Sequence, residues 1–583
     1  MSASTRRVVV LLVGLGLLLT GCAALPTEGP IVRSDGAGAS DVRRASDIAP
    51  RPPADGAEPG EVVSGFLDAM TAWPIATATA REYLTASTSE RWRPEESTIV
   101  YDDVASIRTA ASAVQVDLDG AQLLDDAGAW RGALSAERSS LRMRLTIENG
   151  QYRIIDPPDA LVVPSSWFRQ RFQQVSLFYL DPTRSLLVPE PVFLPAGEQL
   201  ATNLVAGLLA GPPPRARGVV RTALPAGLSV GLSVTVDDGV ADVALGGAPS
   251  LLNDDDVAPM LAQLAWTLRQ VSGVRALRVT IAGRPVNAPG ASLQYPVSGA
   301  DAYDPSGEAT TDALFGISQG RLVTDALSED ATIEPAGGPF GAAGSGVVSV
   351  AVRPDGQQAA VVDAGGRRVR VASVTARPAG SGPRTVLSGG RYLRPTYDVA
   401  GRLWLLEQTA GGAVVRVVGR SGTRVVEVPG VTGRTVRRLL VSRDGTRLVA
   451  VVATADGDAV VGARVVLDER GRVRQVRDPV VVRSGEGAGS LVTDLAWSSP
   501  VRLVLLRPTT PGRLYRVEAV SADGAALGEP LPSTVISGAA LGVAAAPGAG
   551  TPVLAVYAEQ YADVARQEAV PTGVRLTDLD YAG

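Results

Sequence analysis

The residue with the most distinctive chemistry is Cys22, the only cysteine among 583 residues. Its thiol is the single group in the chain that can form a thioether. Two small residues, Thr20 and Gly21, precede it and suit the narrow site of a peptidase that cleaves in front of the cysteine. Because there is no second cysteine, the folded parts cannot rely on an internal disulfide and must be held by core burial.

Residues 1–21 have the pattern of an export signal. Two arginines precede an uncharged apolar run over residues 8–19, and about a dozen apolar residues are too few to cross a bilayer of about 30 Å as a helix. The stretch Leu19-Thr20-Gly21-Cys22 resembles a bacterial lipobox. The resemblance implies diacylglycerol on the Cys22 sulfur and an N-acyl chain such as palmitate on its amine. Two acyl chains give stable attachment, so we expect a lipid-anchored protein on the extracytoplasmic face of the cell membrane. A cysteine that lies by chance in a transmembrane helix is the alternative.

The composition excludes most catalytic classes. The chain has no histidine, and all of its 55 basic residues are arginine. These absences remove histidine general bases and metal ligands, Ser-His-Asp triads, Schiff-base lysines and the P-loop lysine. With 60 acidic residues the net charge is −5, which does not favour nucleic-acid binding. We therefore expect a protein that is not an enzyme and has no metal or cofactor.

Two further motifs have a chemical and a structural interpretation. Gly227-Leu228-Ser229-Val230-Gly231 matches the nucleophile elbow of hydrolases. That elbow needs a following helix and a histidine, whereas here the pattern predicts a strand. Asp254-Asp255-Asp256 offers carboxylates for calcium but lacks the EF-hand spacing. Acidic residues also favour the first turn of a helix, and this is the interpretation we prefer.

Two other groups of residues allow a binding role. The glycine-rich stretch over residues 341–346 could cradle a phosphate, although an interdomain linker is the preferred interpretation. Four tryptophans could stack on sugar rings, but their positions in predicted helices and at strand ends favour core packing. They are Trp73, Trp92, Trp167 and Trp266.

The first half of the mature chain predicts a tether and one α+β domain. Residues 22–60 are rich in Pro, Gly, Ala, Ser and Asp without apolar periodicity, which is typical of a flexible tether. Residues 61–172 begin with apolar residues at helical spacing and continue with alternating strands. A hairpin is predicted at Glu148-Asn149-Gly150-Gln151 because Asn-Gly favours a tight turn. The segment resembles the NTF2-like domains of bacterial lipoproteins.

Residues 173–290 predict an α/β unit with the order strand, helix, strand, helix, strand. A strand over residues 175–181 is followed by a helix from about Gly197 that ends before three prolines. A second helix is predicted over residues 257–270. With Leu208-Leu209-Ala210-Gly211-Pro212 after the first helix, this plan resembles the GerM-type (GerMN) domain, which implies a binding module.

Residues 312–583 consist of short strands with recurring turns. The turns lie at residues 356, 401, 445, 500 and 548, so the separations are 45, 44, 55 and 48 residues. A period of about 40 to 50 residues with several strands per repeat is typical of a β-propeller, and a pair of β-sandwiches is the alternative. Five repeats are visible, and residues 313–323 together with the C-terminal tail could complete a sixth.

The order of lipobox, tether, α+β domain, GerM-type domain and propeller resembles the LpqB family of actinobacterial lipoproteins. The resemblance implies a non-enzymatic accessory of the MtrAB two-component system. Such a protein would bind the extracytoplasmic domain of the sensor kinase MtrB and modulate cell-wall homeostasis and division. The first alternative is a lipoprotein that binds peptidoglycan or another glycan without contacting the kinase, and it would need exposed aromatic side chains. The second is an envelope hydrolase that works through paired carboxylates in a cleft.

Overall fold

The computed structural model describes residues 49–110, 112–248, 250, 252–287, 293–307, 310–325, 332–376, 382–528, 530–548 and 550–583. The predicted signal, the lipobox, Cys22 and most of the predicted tether lie outside these residues. The described residues belong to one compact unit. Within the described part, no helix has the length and apolar character needed to span a bilayer.

The first domain consists of three helices followed by eight strands. The helices are α1 (Pro59–Ala69), α2 (Ala78–Glu82) and α3 (Ala86–Arg91). The strands are β1 (Ser97–Tyr101), β2 (Asp103–Ala110), β3 (Ala113–Asp119), β4 (Gln122–Asp125), β5 (Trp130–Ala133), β6 (Ser140–Glu148), β7 (Gln151–Ile154) and β8 (Leu161–Pro164). They form two four-stranded sheets, with the orders β5-β4-β1-β8 and β2-β3-β6-β7.

Local sequence explains the first helix and the closing hairpin of this domain. Helix α1 starts with Pro59, and the Glu58 N–H donates to the Glu61 carboxylate, so one free donor at the helix start is satisfied. Its predicted apolar face is buried and includes Phe66, which packs against Trp92 at 5.3 Å between ring centroids. The Asn149-Gly150 turn has positive φ at both residues, as predicted for a tight hairpin.

The middle domain contains two long helices and two small sheets. A short helix, α4 (Ser165–Arg171), leads into it, and α5 (Leu200–Ala210) and α6 (Asp254–Leu268) pack in its core. The strands are β9 (Phe172–Leu180), β10 (Leu187–Pro195), β11 (Ser229–Val230), β12 (Thr235–Asp237), β13 (Val240–Gly246), β14 (Ala276–Ile281), β15 (Arg284–Pro285) and β16 (Tyr295–Pro296). β16 pairs with β14, so this sheet includes residues beyond 290, the predicted end of the domain.

β10 is an edge strand of the middle domain. It pairs only with β9, in one antiparallel ladder from Leu187 opposite Leu180 to Pro195 opposite Phe172. Prolines lack the N–H that a second ladder would need, and Pro189 and Pro191 are therefore tolerated in a strand whose other edge is unpaired. Between them lies Glu190, which is only 3% exposed.

The C-terminal domain is a β-propeller. Among the described residues its strands form six sheets, which we number as blades 1 to 6. The strands are β17 (Leu314–Ser318), β18 (Arg321–Thr324), β19 (Glu334–Pro335), β20 (Val347–Val352), β21 (Gln358–Asp363), β22 (Arg368–Ser373), β23 (Arg384–Ser388), β24 (Arg391–Tyr392), β25 (Thr396–Tyr397), β26 (Leu403–Thr409), β27 (Gly412–Gly419), β28 (Gly422–Val426), β29 (Val436–Val441), β30 (Arg447–Thr454), β31 (Gly457–Leu467), β32 (Val473–Arg483), β33 (Asp494–Ser499), β34 (Arg502–Thr510), β35 (Leu514–Ser521), β36 (Ser533–Ser537), β37 (Gly542–Ala544), β38 (Leu554–Val556), β39 (Gln560–Asp563), β40 (Ala569–Pro571) and β41 (Leu576–Tyr581).

The ends of the propeller sequence meet in blade 1. Its order is β19-β18-β17-β41, so the last strand of the chain pairs with the first strand of the propeller. Blades 2 to 6 are formed by β20–β23, β24–β28, β29–β32, β33–β36 and β37–β40. The predicted propeller is confirmed, and the tail completes a sixth blade.

Glycines at the repeated turns explain the spacing seen in the sequence. Gly356, Gly401 and Gly445 have φ of 71°, 75° and 72°. A residue with a side chain adopts this left-handed conformation only at a cost, whereas glycine does not. Gly356 and Gly445 lie between the first and second strands of blades 2 and 4, and Gly401 lies between β25 and β26 of blade 3, where β24 and β25 both pair with β26. The same turn therefore recurs in blades 2, 3 and 4.

Candidate functional site

The motifs with a possible catalytic or metal-binding meaning have structural roles. Ser229 opens strand β11 and pairs with Gly246, so no strand-to-helix elbow surrounds it. The three aspartates at 254–256 occupy the first turn of α6, and Asp256 pairs with Arg184. No group of histidine, cysteine or acidic side chains suited to a metal ion occurs among the described residues.

The glycine-rich stretch and the four tryptophans also belong to the framework. Gly341 closes a short 3₁₀ helix and is buried. Trp92 and Trp167 are 2% and 6% exposed, and their indole N–H groups donate to the carbonyls of Pro158 and Thr71. Trp73 and Trp266 are half-buried.

The aromatic side chains leave no flat surface on which a sugar ring could stack. The sequence contains seven Trp, twelve Tyr and seven Phe, and all of them fall within the described ranges. Every one is buried or half-buried. Recognition of glycans by stacking needs an exposed aromatic face, and the described surface offers none.

The three domains meet at a buried cluster of charges around Glu190. Arg464 of blade 4 donates two hydrogen bonds to the Glu190 carboxylate, one of them 2.9 Å long between Nη1 and Oε1. Arg447 Nη2 donates to the same Oε1 at 3.2 Å and to the Pro189 carbonyl. All three side chains are at most 12% exposed. The middle domain is therefore joined to the propeller by a carboxylate held between two guanidinium groups.

The space beside this cluster is too small for a substrate. A cavity of about 40 Å³ is lined by residues of all three domains, including Asp125, Glu190 and Arg464. That volume suits one or two water molecules and not a sugar ring. The first domain also packs onto blade 5, because Ala525 and Leu527 belong to its hydrophobic core. The space beside Glu190 is therefore not a catalytic cleft.

The centre of the propeller is closed by a second charge cluster. Arg394 reaches Asp578 Oδ1 at 3.0 Å and Asp580 Oδ2 at 2.9 Å, both on the closing strand β41. Arg438 pairs with Asp494 at 2.9 Å in the same region. Burial raises the pKa of Asp580 to about 7, although the Arg394 charge opposes the shift. These side chains fill the position where an open propeller would have a channel.

One end of the propeller is covered by the rest of the chain. The turns between the first and second strands of each blade, and those between the third and fourth, lie at this end. Arg221 of the middle domain pairs with Glu469 at 2.7 Å. The linker donates from Ser306 Oγ to the Pro547 carbonyl and from the Thr311 N–H to the Pro354 carbonyl. We call this the covered end.

The opposite end carries the turns between the second and third strands and the connections from one blade to the next. The interdomain hydrogen bonds described above all fall at the covered end, and none of them occupies this second end. We call it the open end. Its loops are rich in glycine, as in Ala364-Gly365-Gly366-Arg367 and Gly389-Gly390-Arg391.

Sequence reasoning missed both charge clusters. Glu190 lies 257 residues from Arg447, and no local pattern connects them. The sequence did contain a signal for Glu190. A charged residue between two prolines in an otherwise apolar strand needs a partner of opposite charge if it is buried. Nothing in the sequence indicates which arginine supplies it.

Three family models match the chain in the same order as the domains. Residues 52–169 match "Lipoprotein LpqB, N-terminal domain". Residues 176–287 match "Sporulation and spore germination", and residues 320–563 match "Lipoprotein LpqB beta-propeller domain". The matches agree with an α+β domain, a GerM-type domain and a propeller.

Curated relatives extend the similarity over most of the length. Lipoprotein LpqB of Cutibacterium acnes is 27% identical over 529 residues, covering 87% of each chain. Lipoprotein LpqB of Thermobifida fusca is 28% identical over 596 residues, covering 92% of each. The tandem GerMN domains of GerM from Bacillus subtilis are 22% identical over 20% of this chain and 40% of that one, and the TM-score of 0.18 adds nothing to the family match. From the three domain matches and these relatives, the chain belongs to the LpqB family of lipoproteins.

Proposed function

We propose that this protein is a lipid-anchored, extracytoplasmic accessory of an MtrAB-type two-component system. It binds the extracytoplasmic domain of the sensor kinase MtrB, and through that contact it modulates cell-wall homeostasis and division. Cys22 supplies the anchor, and residues 23–48 connect it to the folded unit. The protein performs no chemistry itself.

The observation that carries this proposal is the propeller with one covered and one open end. Two domains and a linker occupy the covered end, where the buried cluster around Glu190, the exposed Arg221–Glu469 ion pair and the Ser306 hydrogen bond hold them. The open end is presented as a rigid surface without a catalytic cleft. A rigid surface on a tethered body suits a protein that acts by contact.

The main competing function is binding of peptidoglycan or another glycan. The absence of exposed aromatic side chains from the described surface argues against recognition by stacking. An envelope hydrolase is disfavoured because the cavity that holds Glu190 and Asp125 is too small for a sugar.

Direct binding tests the proposal. The chain from Ala45 to Gly583, whose described residues belong to one compact unit, is immobilised and titrated with the purified extracytoplasmic domain of the host's MtrB-type kinase. Purified peptidoglycan is the competing ligand. We expect saturable binding to the kinase domain that peptidoglycan does not displace. Binding to peptidoglycan alone contradicts the proposal and favours the glycan-binding function.

A further inference from the structure

Three exposed arginines form an arc on the open end of the propeller. Arg367 lies between the second and third strands of blade 2, Arg391 opens blade 3, and Arg434 lies in the connection from blade 3 to blade 4. The loops are joined: Arg367 Nη2 donates to the Gly389 carbonyl at 2.8 Å, and β24, which begins with Arg391, pairs with β26. The turn after β26 meets the next loop, because the Ala413 N–H donates to the Arg434 carbonyl.

Several arginines on the same blades have carboxylate partners, whereas the three arc arginines have none in the described part of the chain. On the same blades, Arg368 pairs with Asp363, Arg416 with Glu407 and Arg437 with Asp458, at 2.6 to 2.9 Å. Among the described residues, none of the three arc arginines forms an ion pair, and all three side chains are exposed. In a protein with a net charge of −5, this arc is a local positive surface.

The surroundings of the arc give a partner close access. The loops that carry it contain pairs of glycines, at 365–366, 389–390 and 411–412. Because glycine has no side chain, these positions place no side chain of their own beside the guanidinium groups. Two exposed carboxylates lie in other loops of the open end, Glu427 between β28 and β29 and Asp456 between β30 and β31.

We infer that this arc, Arg367, Arg391 and Arg434, is a docking surface for an acidic protein surface. Guanidinium groups bind carboxylates in planar, two-pronged geometry. Complementary charge of this kind speeds association and selects the partner. The inference rests on the proposed function for the identity of the partner, whereas the chemistry of the arc is tested without it.

A membrane surface is the other anionic partner to consider, and two observations disfavour it. Surfaces that bind lipid combine basic residues with apolar side chains that enter the acyl region. The arc loops expose no large apolar side chain, and the exposed leucines of the open end, Leu491, Leu514 and Leu541, lie on blades 5 and 6. The N-terminal end of the described chain, which leads toward the predicted anchor, lies against the first domain. There the Gly56 N–H donates to the side chain of Gln151, the first residue of β7. The covered end of the propeller faces that domain.

Charge reversal tests the arc. The variant R367E/R391E/R434E of the chain from Ala45 to Gly583 is compared with R138E/R142E/R420E, which changes the net charge equally at three other exposed arginines without ion-pair partners among the described residues. Both should melt within about 2 °C of the parent, because exposed substitutions cost little. Titration with the kinase domain should show at least about a tenfold loss of affinity for the arc variant and less than about a twofold loss for the control.

The outcomes separate the two proposals. If the parent and the arc variant bind the kinase domain equally well, the result overturns the proposed role of the arc but not the proposed function. If the parent does not bind the kinase domain, the proposed function fails, and a labelled poly-glutamate peptide tests the arc. If the parent binds the peptide in a salt-sensitive way and only the arc variant loses this binding, the result supports the arc. If the parent does not bind the peptide, the result overturns the arc. Binding to phosphatidylglycerol vesicles but not to the peptide, lost in the arc variant, overturns the protein partner in favour of a membrane.

Discussion

Glu190 of the middle domain and Arg464 of the propeller are joined by two hydrogen bonds in a site where both side chains are at most 12% exposed. Arg447 completes the site from the adjacent strand. A buried ion pair contributes little compared with a well-packed apolar contact, but breaking it leaves an uncompensated charge. The pair therefore fixes how the two domains are placed more than it raises their stability.

Replacing the shared carboxylate should be costly. Glu190→Gln leaves Arg464 buried without its carboxylate partner and leaves Arg447 only Asp444, at 3.7 Å, so we expect a loss of about 3 to 5 kcal/mol in the free energy of unfolding. Urea denaturation followed by tryptophan fluorescence measures it. Glu469→Gln is the matched control, because Glu469 also links the middle domain to the propeller, through Arg221, but is 74% exposed. It should cost less than about 1 kcal/mol. Equal losses for the two variants would contradict the role of burial.

The pKa of Asp580 predicts a specific dependence on pH. Burial raises it to about 7, so between about pH 4 and 7 the folded protein holds a proton that the unfolded chain has released. Arg394, Arg438, Asp494 and Asp578 are the charges that face it. The contribution of Asp580 to the free energy of unfolding should therefore fall as the pH rises through this window.

Asp580→Asn removes that titration. The free energy of unfolding of the parent minus that of the variant should decrease by an amount on the order of a few kcal/mol from about pH 4 to 7, and then level off. Urea denaturation at one-unit pH intervals measures the difference. Asp355→Asn, on an aspartate near the surface paired with Arg353, is the control and should not reproduce the slope. A difference that rises with pH would mean that the charged form of Asp580 is the stabilised one.

Gly445 should be sensitive to a single methyl group. Gly445→Ala imposes a side chain at a φ of 72° and places Cβ 2.1 Å from Arg402 Nη2, which cannot move freely because Arg402 Nε is bound to Asp398 at 2.6 Å. Gly366→Ala is the control, since its φ is 65° and nothing lies within 4 Å of the added carbon. We expect Gly366→Ala to lower the free energy of unfolding by about 1 kcal/mol and Gly445→Ala to lower it by at least about 2 kcal/mol more. Thermal unfolding measures both losses. A similar cost at both positions would show that φ alone matters.

Cys22 is the site of the predicted anchor. Cys22→Ser should abolish incorporation of labelled palmitate and move the protein from the membrane fraction to the soluble fraction or leave the signal uncleaved, because only a thiol forms the thioether. Thr5→Ser, in the predicted signal, is the control and should leave labelling unchanged. Labelling that persists in Cys22→Ser would refute lipid attachment at this residue.

The fold was predictable wherever it depends on local patterns. The helical spacing from Val62 to Met70 and the Asn149-Gly150 turn both lie where the sequence places them. The glycine turns revealed the blades because blades 2, 3 and 4 repeat the same backbone conformation.

The contacts between domains were not predictable in the same way. Ala525 and Leu527 belong to the core of the first domain although they lie in blade 5. Apolar residues in a loop show that something covers them, but they do not show what. The arc of arginines is another case, because Arg367 and Arg434 have neighbours in sequence much like those of the paired arginines. Whether an arginine has a partner is decided by strands that lie far away in the chain.

The pairing of β41 with β17 also has a consequence for biogenesis. A chain that crosses a membrane from its N-terminus delivers residues 576–581 after all the other strands of the propeller. Until they emerge, β17 presents an unpaired edge, and Arg394 lacks both of its carboxylate partners. Open strand edges invite association with other chains. The interval between the arrival of blade 6 and the release of the C-terminus is therefore the period in which this protein most needs protection by a chaperone.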